Sequence, residues 1–508
     1  MKIAYQSTSS GFTGGRVLLL FLLFGIGIYE FIHAGLPAYA AICMLPIVVL
    51  AVIGSFAKHM SLFWLLMVVN YFVMWHNLSL PGGIPVSLYV EAIEILLLTK
   101  AIIDVKEPNF DRCFNPMLFA LVVWIMMVTL EALNDTADLG YNFGAWYTGA
   151  RLMGFQLLYA FLVYSIYINS PKVLMRYLFV WGGLTLFASI WMWKQSKFGP
   201  TVMENAFLHG RGSNTHIING GTTIRYFSVY NDAATGGICL ASSAVAFLII
   251  GITTKIKKYR YIFLAMAAVA VKWGMMPTGT RTATFCLIAG LATYVILSKS
   301  FKIAIPVAIL LGLGYFFMAF TNIGNGNAEI RRMRSGFSKN DASANQRTIN
   351  QEIMAKYLRD APFGLGVGMG YENVPPNNKF RKLATIAPDS EYVFIWIHTG
   401  YVGITIFLIT TAIMFFFACW IVMFRLRSPS LRGIGAAMCC AFVSFQLGGY
   451  GNHVLMQFPN CMLCYGGLSI VYLLPHLEPE WEKFEAEKLA IQTEKQRLKD
   501  EERAARRV

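Results

Sequence analysis

The sequence has 508 residues, of which 56% are hydrophobic and only 14% charged, and its formal net charge is +15. Soluble domains are about 25% charged, so this composition excludes an ordinary soluble enzyme and predicts an all-α polytopic membrane protein. The basic excess does not indicate nucleic acid, because many of the basic residues lie in short loops, where positive charge orients membrane proteins. The nine cysteines lie mostly in apolar runs and form no disulfide or metal pattern.

Apolar runs that are long enough to cross a hydrocarbon layer of about 30 Å predict about 14 transmembrane helices. No cleavage site follows the first run, so we interpret it as an uncleaved span. The predicted spans are 17–33, 36–57, 61–77, 84–103, 115–133, 149–168, 173–193, 231–253, 259–276, 281–298, 302–320, 400–424, 432–450 and 454–474.

The charges of the connecting loops orient these spans. If the N-terminus is inside, the loops on the same side are basic, whereas the short loops on the other side are almost free of lysine and arginine. This positive-inside pattern predicts that both termini are cytoplasmic and that the two long loops, 194–230 and 321–391, face the outside. Residues 1–474 would form the membrane domain, and 475–508 a solvated, charged cytoplasmic helix.

Ionisable residues within or at the ends of spans are costly in a membrane and are therefore functional candidates. Most of them fall at the predicted outer ends: Glu30, Glu91, Glu94, Glu131, Arg151, Asp232, Lys272 and Arg281. Arginine forks bind phosphate oxygens bidentately and stay charged when partly dehydrated. This face therefore predicts a site for an anionic lipid headgroup, with salt-bridged interfacial residues as the alternative for any single position.

Two weaker signals favour structural roles. Residues 364–370, GLGVGMG, lack the strand and helix context of a dinucleotide site and predict a turn that needs positive φ or close backbone approach. His398 and His453 lie near outer span ends, and we interpret each as a hydrogen-bonded packing residue.

Three stretches resemble the bacterial O-antigen ligase and O-antigen polymerase superfamily. Residues 277–297 are similar to the start of a family span, with Arg281 as the matching arginine. Residues 345–370 are similar to a loop helix opened by Arg347 and followed by a Pro-x-x-Gly-x-Gly turn. Residues 388–404 are similar to a short helix that ends in Gly-x-x-Gly. Where the ligases carry His-Asn, this chain has Asp389-Ser390, which leaves polymerase and ligase both open.

The resemblance implies a GT-C-like, metal-independent glycosyltransferase without a cofactor, in the bacterial inner membrane among membrane lipids. Its donor would be a glycan on undecaprenyl diphosphate at the periplasmic face, and its acceptor another glycan or lipid A-core, in surface polysaccharide synthesis (O-antigen, capsule or exopolysaccharide). The site implied in this way combines Arg225 and Arg281 on the diphosphate, Arg151 and Arg347 as second choices, Asp389 or Glu391 at the acceptor, and Glu91, Glu94 and Lys272 in support.

Two other classes of protein remain open on the sequence. A lipid-linked oligosaccharide flippase or another transporter would have a similar number of spans, but no internal repeat is visible and the charges concentrate at one face. A membrane scaffold that recruits partners through the charged tail is the second alternative.

Overall fold

The computed structural model describes residues 59–75, 87–103, 110–210, 212–218, 223–326, 330–331, 334, 342–370, 373–386 and 390–505. The predicted spans 17–33 and 36–57, and the candidate Asp389, lie outside the described residues. The chain divides into two compact units, Met1–Trp64 and Leu65–Val508, and apart from the helix that begins at His59 all elements described belong to the second unit.

The described part of the chain is almost entirely helical up to the first long loop. Its helices are α1 (His59–Phe72), α2 (Leu88–Ile103), α3 (Pro116–Leu130), α4 (Phe143–Ala150), α5 (Gln156–Tyr167), α6 (Pro171–Phe198), α7 (Val202–His209) and α8 (Ser213–His216). Short 3-10 helices occupy Phe110–Cys113 and Glu131–Leu133, and a π-helical turn at Arg151–Phe155 joins α4 to α5. A two-residue hairpin follows, in which β1 (Ile217–Ile218) pairs antiparallel with β2 (Thr223–Ile224).

The second half of the chain has longer helices and one segment of irregular structure. Its helices are α9 (Ala233–Thr253), α10 (Lys257–Val269), α11 (Arg281–Leu297), α12 (Phe301–Phe320), α13 (Ala342–Leu358), α14 (Arg381–Thr385), α15 (Glu391–Trp420), α16 (Pro429–Gly451) and α17 (Gly467–Ala505). A π-helix at Ala270–Met275 and a 3-10 turn at Met276–Thr278 extend α10. Further π-helical turns lie at Ile421–Arg425 and Met462–Gly466.

Among the described residues, seven helices are long and apolar enough to cross a membrane. They are Pro116–Leu133, Phe143–Tyr167, Pro171–Phe198, Ala233–Thr253, Lys257–Thr278, Glu391–Arg425 and Pro429–Gly451. Three shorter apolar helices cover Met60–Phe72, Arg281–Leu297 and Ile305–Phe320. The all-α membrane architecture is therefore confirmed, while the count of 14 spans stays a prediction. The predicted span 454–474 becomes helical only from residue 460, after a non-helical loop.

The centre of the bundle is a set of closely packed helices. α9 and α16 run antiparallel, because a Cβ on Gly448 would touch Ile238 near one end, and a Cβ on Gly433 would touch Thr253 at the other. α11 packs against both helices, and Ser444 Oγ donates a hydrogen bond of 2.8 Å to the carbonyl of Cys286. The small residues at these crossings allow the helix backbones to approach closely, as is common in membranes.

α15 is interrupted at Gly400, where the backbone leaves the helical region with φ 61° and ψ −162°. The 35 residues of Glu391–Arg425 would extend roughly 50 Å as one straight helix at about 1.5 Å per residue, much more than a hydrocarbon core needs. The interruption separates residues 391–399 from the part that corresponds to the predicted span 400–424. A short helix that ends at Gly400 is thus confirmed.

The predicted glycine turn lies directly in this interruption. Gly364, Gly366 and Gly368 all have positive φ. Leu365 N donates to the carbonyl of Ile397 at 2.8 Å, and Val402 N donates to the carbonyl of Pro362 at 3.2 Å. The interpretation of residues 364–370 as a turn with positive φ and close backbone approach is confirmed.

The long segment before α15 has a small core of its own. α13 is the helix predicted ahead of the glycine turn, and its buried Met354 and Leu358 belong to a cluster that includes Leu365, Phe380 and Ile397. This core attaches the segment to the first turns of α15. The charged residues of α13 are therefore held on a fixed support beside the helix that begins at Glu391.

The C-terminal helix differs from the expected solvated tail in its first turns. Trp481 and Phe484 are buried, and Trp481 Nε1 donates to Ser430 Oγ at 3.0 Å. Lys255 Nζ lies 3.0 Å from Glu485 Oε2, and Glu478 Oε1 accepts from the backbone N–H groups of residues 427 and 428, each at 2.7 Å. Only residues 493–503 are exposed throughout, as predicted. The aromatic side chains explain the difference, because a helix that carries them gains stability by packing on the loops beneath it.

Candidate functional site

One end of the bundle, which we call the site end, gathers the beginnings of three helices. Asp232 precedes α9, Arg281 begins α11 and Glu391 begins α15. The loop 452–457 joins them, because Asn452 Nδ2 donates to Thr282 Oγ1 at 3.0 Å and Gln457 Oε1 accepts from Asn231 Nδ2 at 2.6 Å. Helix beginnings carry partial positive charge and free N–H groups, which suits them to anions.

A tight turn positions the start of α11. Pro277 lies in the 3-10 turn, and Gly279 adopts the left-handed conformation at φ 56°. Thr280 Oγ1 donates to the carbonyl of Ala233 at 2.9 Å, which ties the turn to the beginning of α9. A Cβ on Gly237 would lie 2.7 Å from Thr278 Oγ1, so the turn and α9 are in close contact. Arg281 follows immediately at the first position of α11.

Arg225 follows the hairpin and is held above this turn. Its Nη2 donates to Thr280 Oγ1 at 3.0 Å, and its Nη1 donates to the carbonyl of Thr215 at 3.2 Å. Its Nε donates to the carbonyl of Thr278 at 3.4 Å. The hairpin itself is closed by the backbone N–H of Arg225, which donates to the carbonyl of His216 at 2.8 Å. A guanidinium held by neutral oxygens keeps its full charge available for an anionic ligand.

Asp232 and Arg281 lie near enough to Arg225 to affect its charge. Burial lowers the pKa of Arg225, Asp232 opposes that effect, and the neighbouring Arg281 adds to it. Two arginine side chains and one aspartate side chain therefore lie close together near the starts of α9 and α11. Asp232 Oδ1 also accepts from the N–H groups of residues 234 and 235, at 2.6 and 2.9 Å, as the cap of α9. The local balance is positive, and the structure brings together Arg225 and Arg281, the two residues predicted to bind a diphosphate.

Glu391 lies on the opposite side of the loop 452–457. It is fully buried, and its Oε2 accepts from Leu455 N at 2.7 Å and from Met456 N at 3.4 Å. Its Oε1 lies 2.8 Å from Nε2 of His453. Burial lowers the pKa of His453, but the Glu391 and Asp232 carboxylates raise it by more, so that it lies above its ordinary value. The sequence indicated Glu391 but assigned His453 only a packing role.

An apolar groove begins at the same end and runs between α11, α15 and α16. Its volume is about 670 Å³, and its walls include Ala289, Leu408, Phe415, Phe442 and Leu447. Tyr392 and Tyr450 line its upper part, next to Glu391 and Gly451 in the chain. The Tyr392 hydroxyl donates to Gln446 Oε1 at 2.8 Å. The groove therefore continues from the charged site along the membrane-spanning part of the bundle.

Other predicted residues occupy different surroundings. Arg151 Nη1 lies 3.0 Å from Glu91 Oε2, and both side chains are only 4% exposed. Glu94 is fully buried and accepts two hydrogen bonds from Gln156 Nε2, at 2.9 and 2.8 Å. These contacts favour the salt-bridge alternative for Arg151 and Glu91. Lys272 is exposed on the extension of α10.

Arg347 is half-buried on α13, and its Nε has no hydrogen-bond partner within the described ranges. The other predicted second choice, Arg151, is by contrast fully engaged with Glu91 and with Ser87 Oγ, at 3.1 Å. Arg347 therefore keeps hydrogen-bonding capacity for a ligand. No described group of three or more His, Cys, Asp or Glu side chains is arranged to hold a metal ion.

Sequence reasoning missed the threonines of the turn and the role of the loop 452–457. Thr278 and Thr280 are uncharged and lie in a short connection, so no charge or periodicity singles them out. The contact of His453 with Glu391 joins residues 62 positions apart in the chain. The one signal in the sequence that could have indicated this contact was the position of His398 and His453 near the outer ends of predicted spans.

Taken together, the described helices define a helical membrane protein that carries a cluster of arginine side chains at one end of its bundle. Residues 267–408 match a family model described as O-antigen ligase. This range contains the turn before α11, Arg281, the glycine turn and Glu391, so the resemblance to the O-antigen ligase and polymerase superfamily is confirmed. No curated protein matches the chain. The family match supports a glycosyltransferase-like function in O-antigen biosynthesis and a location in a bacterial membrane.

Proposed function

We propose that the chain is an inner-membrane glycosyltransferase that transfers or polymerises a glycan carried on undecaprenyl diphosphate. The observation that carries this proposal is the pairing of Arg225 and Arg281 where α9, α11 and α15 begin, inside or beside the part that matches the family. Leaving diphosphate gains negative charge in the transition state, and fixed donors aimed at that charge stabilise it. The reaction takes place at the outward face predicted by the loop charges, which the family resemblance makes the periplasmic face.

In this proposal the diphosphate lies against the start of α11. Arg225 and Arg281 bind its oxygens, and Arg347 on α13 is the next candidate because its Nε has no hydrogen-bond partner in the part of the chain that the structure describes. Arg225 is already held by three oxygens of the turn and hairpin. A preorganised guanidinium loses little side-chain freedom when it binds, which makes its interaction with the leaving group more effective.

The apolar groove between α11, α15 and α16 takes the isoprenoid chain of the same donor. Its walls are almost wholly apolar, and its upper end lies beside Glu391 and the start of α11. A ligand with an anionic head and a long hydrocarbon chain matches this combination. Ala412→Trp would fill the groove and lower donor binding, whereas Ile413→Trp, which is exposed and outside the groove, would leave it unchanged.

Asp389 orients the acceptor hydroxyl or helps to remove its proton, whereas the fully buried Glu391 acts only through the residues that it contacts. Asp389 stands where the resemblance places the ligase His-Asn pair. Lys272, Glu91 and Glu94 keep supporting roles, and Arg151 acts through its ion pair with Glu91. Neither metal nor cofactor takes part in the proposed transfer.

A deletion of the gene in its host tests the function, with lipopolysaccharide and other surface polysaccharides separated on one gel. Loss of long chains with single repeats still on lipid A-core identifies a polymerase, and loss of all attached repeats with accumulated lipid-linked polymer identifies a ligase. If a different exopolysaccharide is lost instead, the proposal of a transferase stands, but its product is that polysaccharide. If no glycan changes, the proposed function is wrong.

A further inference from the structure

His453 combines the contacts of a packing residue with partial exposure and a buried carboxylate partner. Its ring stacks on Phe394 with the centroids 4.4 Å apart and the planes 28° apart. Its side chain is 32% exposed, while the Glu391 carboxylate beside it is completely buried. The ring is thus packed on one face and lies next to a carboxylate, and it is still partly accessible.

Glu391 fixes which nitrogen of the ring is available. Nε2 lies 2.8 Å from the negatively charged carboxylate, which favours the hydrogen on that nitrogen and leaves Nδ1 as the proton acceptor. The second oxygen of Glu391 is held by two backbone N–H groups of the same loop. A buried carboxylate held in this way orients the imidazole and stabilises its protonated form, as in the carboxylate–histidine pairs of other enzymes.

The loop that carries His453 also places it beside the arginine cluster. Asn452, the preceding residue, donates to Thr282, which follows Arg281 in the first turn of α11. Gln457 contacts residues on both sides of Asp232. The charged or titratable groups around His453 are therefore Glu391 and His398 on α15, Asp232 before α9, and Arg225 and Arg281 beyond it.

We infer that His453 is the general base of the transfer reaction and that Glu391 is its positioning residue. The inference rests on the proposed function. His453 Nδ1 removes the proton from the acceptor hydroxyl as that oxygen forms a bond to the anomeric carbon. The bond from this carbon to the diphosphate oxygen breaks, and its electron pair leaves with undecaprenyl diphosphate. The imidazolium, stabilised by Glu391, then returns its proton to solvent.

The decisive variants are His453→Gln and Glu391→Gln in the full-length protein, reconstituted in nanodiscs. The substrate is the lipid-linked glycan extracted from the deletion strain, and the readouts are transfer rate and binding of undecaprenyl diphosphate. We expect His453→Gln to slow transfer by about 10²- to 10⁴-fold, the range that general bases contribute, with diphosphate binding unchanged. His476→Gln, an exposed histidine at the opposite end of the bundle, is the matched control and keeps the wild-type rate.

The pH profile separates a catalytic role from a structural one. The base must be unprotonated, so the wild-type rate rises with pH through the pKa of His453, which the carboxylates hold above its ordinary value. Glu391→Gln keeps an oxygen for the loop N–H groups but removes the charge. The rising limb of the pH–rate profile of this variant should therefore move to lower pH. In a separate variant, His453→Ala, added imidazole should restore part of the transfer activity.

Each outcome decides a separate question. The inference is supported if His453→Gln transfers slowly but still binds diphosphate, and if the pH–rate profile of Glu391→Gln shifts to lower pH. Transfer by His453→Gln at the wild-type rate, or a loss of diphosphate binding that parallels the loss of rate, overturns it and leaves the proposed function standing. If the wild-type protein itself transfers no glycan, the proposed function fails, whatever His453 does.

Discussion

Replacement of Gly400 by alanine is the sharpest test of how the site is supported. The Gly400 backbone lies at φ 61° and ψ −162°, a region that side-chain-bearing residues avoid. A Cβ there would lie 2.1 Å from the carbonyl oxygen of Pro362 and 2.5 Å from Gly364 N. Neither backbone atom can move freely, because the turn is bonded to α15 on both sides of the interruption.

The expected loss follows from two additive costs. Backbone strain of this kind costs about 1–3 kcal/mol, and overpacking against fixed atoms costs about 1–3 kcal/mol more. Gly400→Ala should therefore lower the free energy of unfolding by about 2–6 kcal/mol. The turn would also separate from α15, so transfer activity should fall with stability.

The assay is unfolding of the purified protein by SDS titration in mixed micelles, followed by tryptophan fluorescence. Gly314→Ala is the control, since a Cβ on this glycine of α12 has open space around it. Alanine in a helix interior is about 0.5–1 kcal/mol more favourable than glycine, so the control should be neutral or slightly stabilising. Equal stability of the two variants would refute the account of the interruption.

Three further predictions concern the arginines and the tail. Arg225→Ala should abolish transfer and weaken undecaprenyl diphosphate binding at least about tenfold, since charge-assisted hydrogen bonds contribute about 1.5–3 kcal/mol each; Arg497→Ala, exposed on α17, should change neither. Glu91→Ala should lower the free energy of unfolding by about 3–5 kcal/mol because it leaves Arg151 buried and unpaired. If this variant were as stable as the wild type in the SDS titration, the buried ion pair would be refuted. Trp481→Ala should destabilise by about 3–5 kcal/mol, and an unchanged titration midpoint would show that the tail does not pack as described.

Much of the architecture could be predicted because membrane helices leave a strong local signal. Long apolar runs, basic loops and Arg281 at the start of a span are all visible in a short window of sequence. The glycine turn could also be predicted, since four alternating glycines in a polar segment indicate positive φ. The interruption at Gly400 followed from the Gly-x-x-Gly pattern of the resemblance.

The rest of the site depends on contacts between distant parts of the chain. Nothing in the local sequence around residue 453 indicates that its loop lies against both Thr282 and Glu391. Arg151 and Arg225 are alike as outer-face arginines in the sequence, yet one has a buried carboxylate partner and the other has neutral oxygens. The partner decides whether an arginine stabilises the fold or remains available to a ligand, and partners at this separation require the structure.

The most direct test of the central claim is to follow both products of the proposed reaction with the purified protein. Full-length protein in nanodiscs is incubated with the extracted lipid-linked glycan and its acceptor, and released undecaprenyl diphosphate is measured by mass spectrometry beside the new glycosidic product. We predict that wild-type protein forms both products in equal amounts and that Arg281→Ala forms neither. If the wild-type protein releases no undecaprenyl diphosphate but moves the intact donor across liposome membranes, the protein is a transporter and the transferase account is wrong.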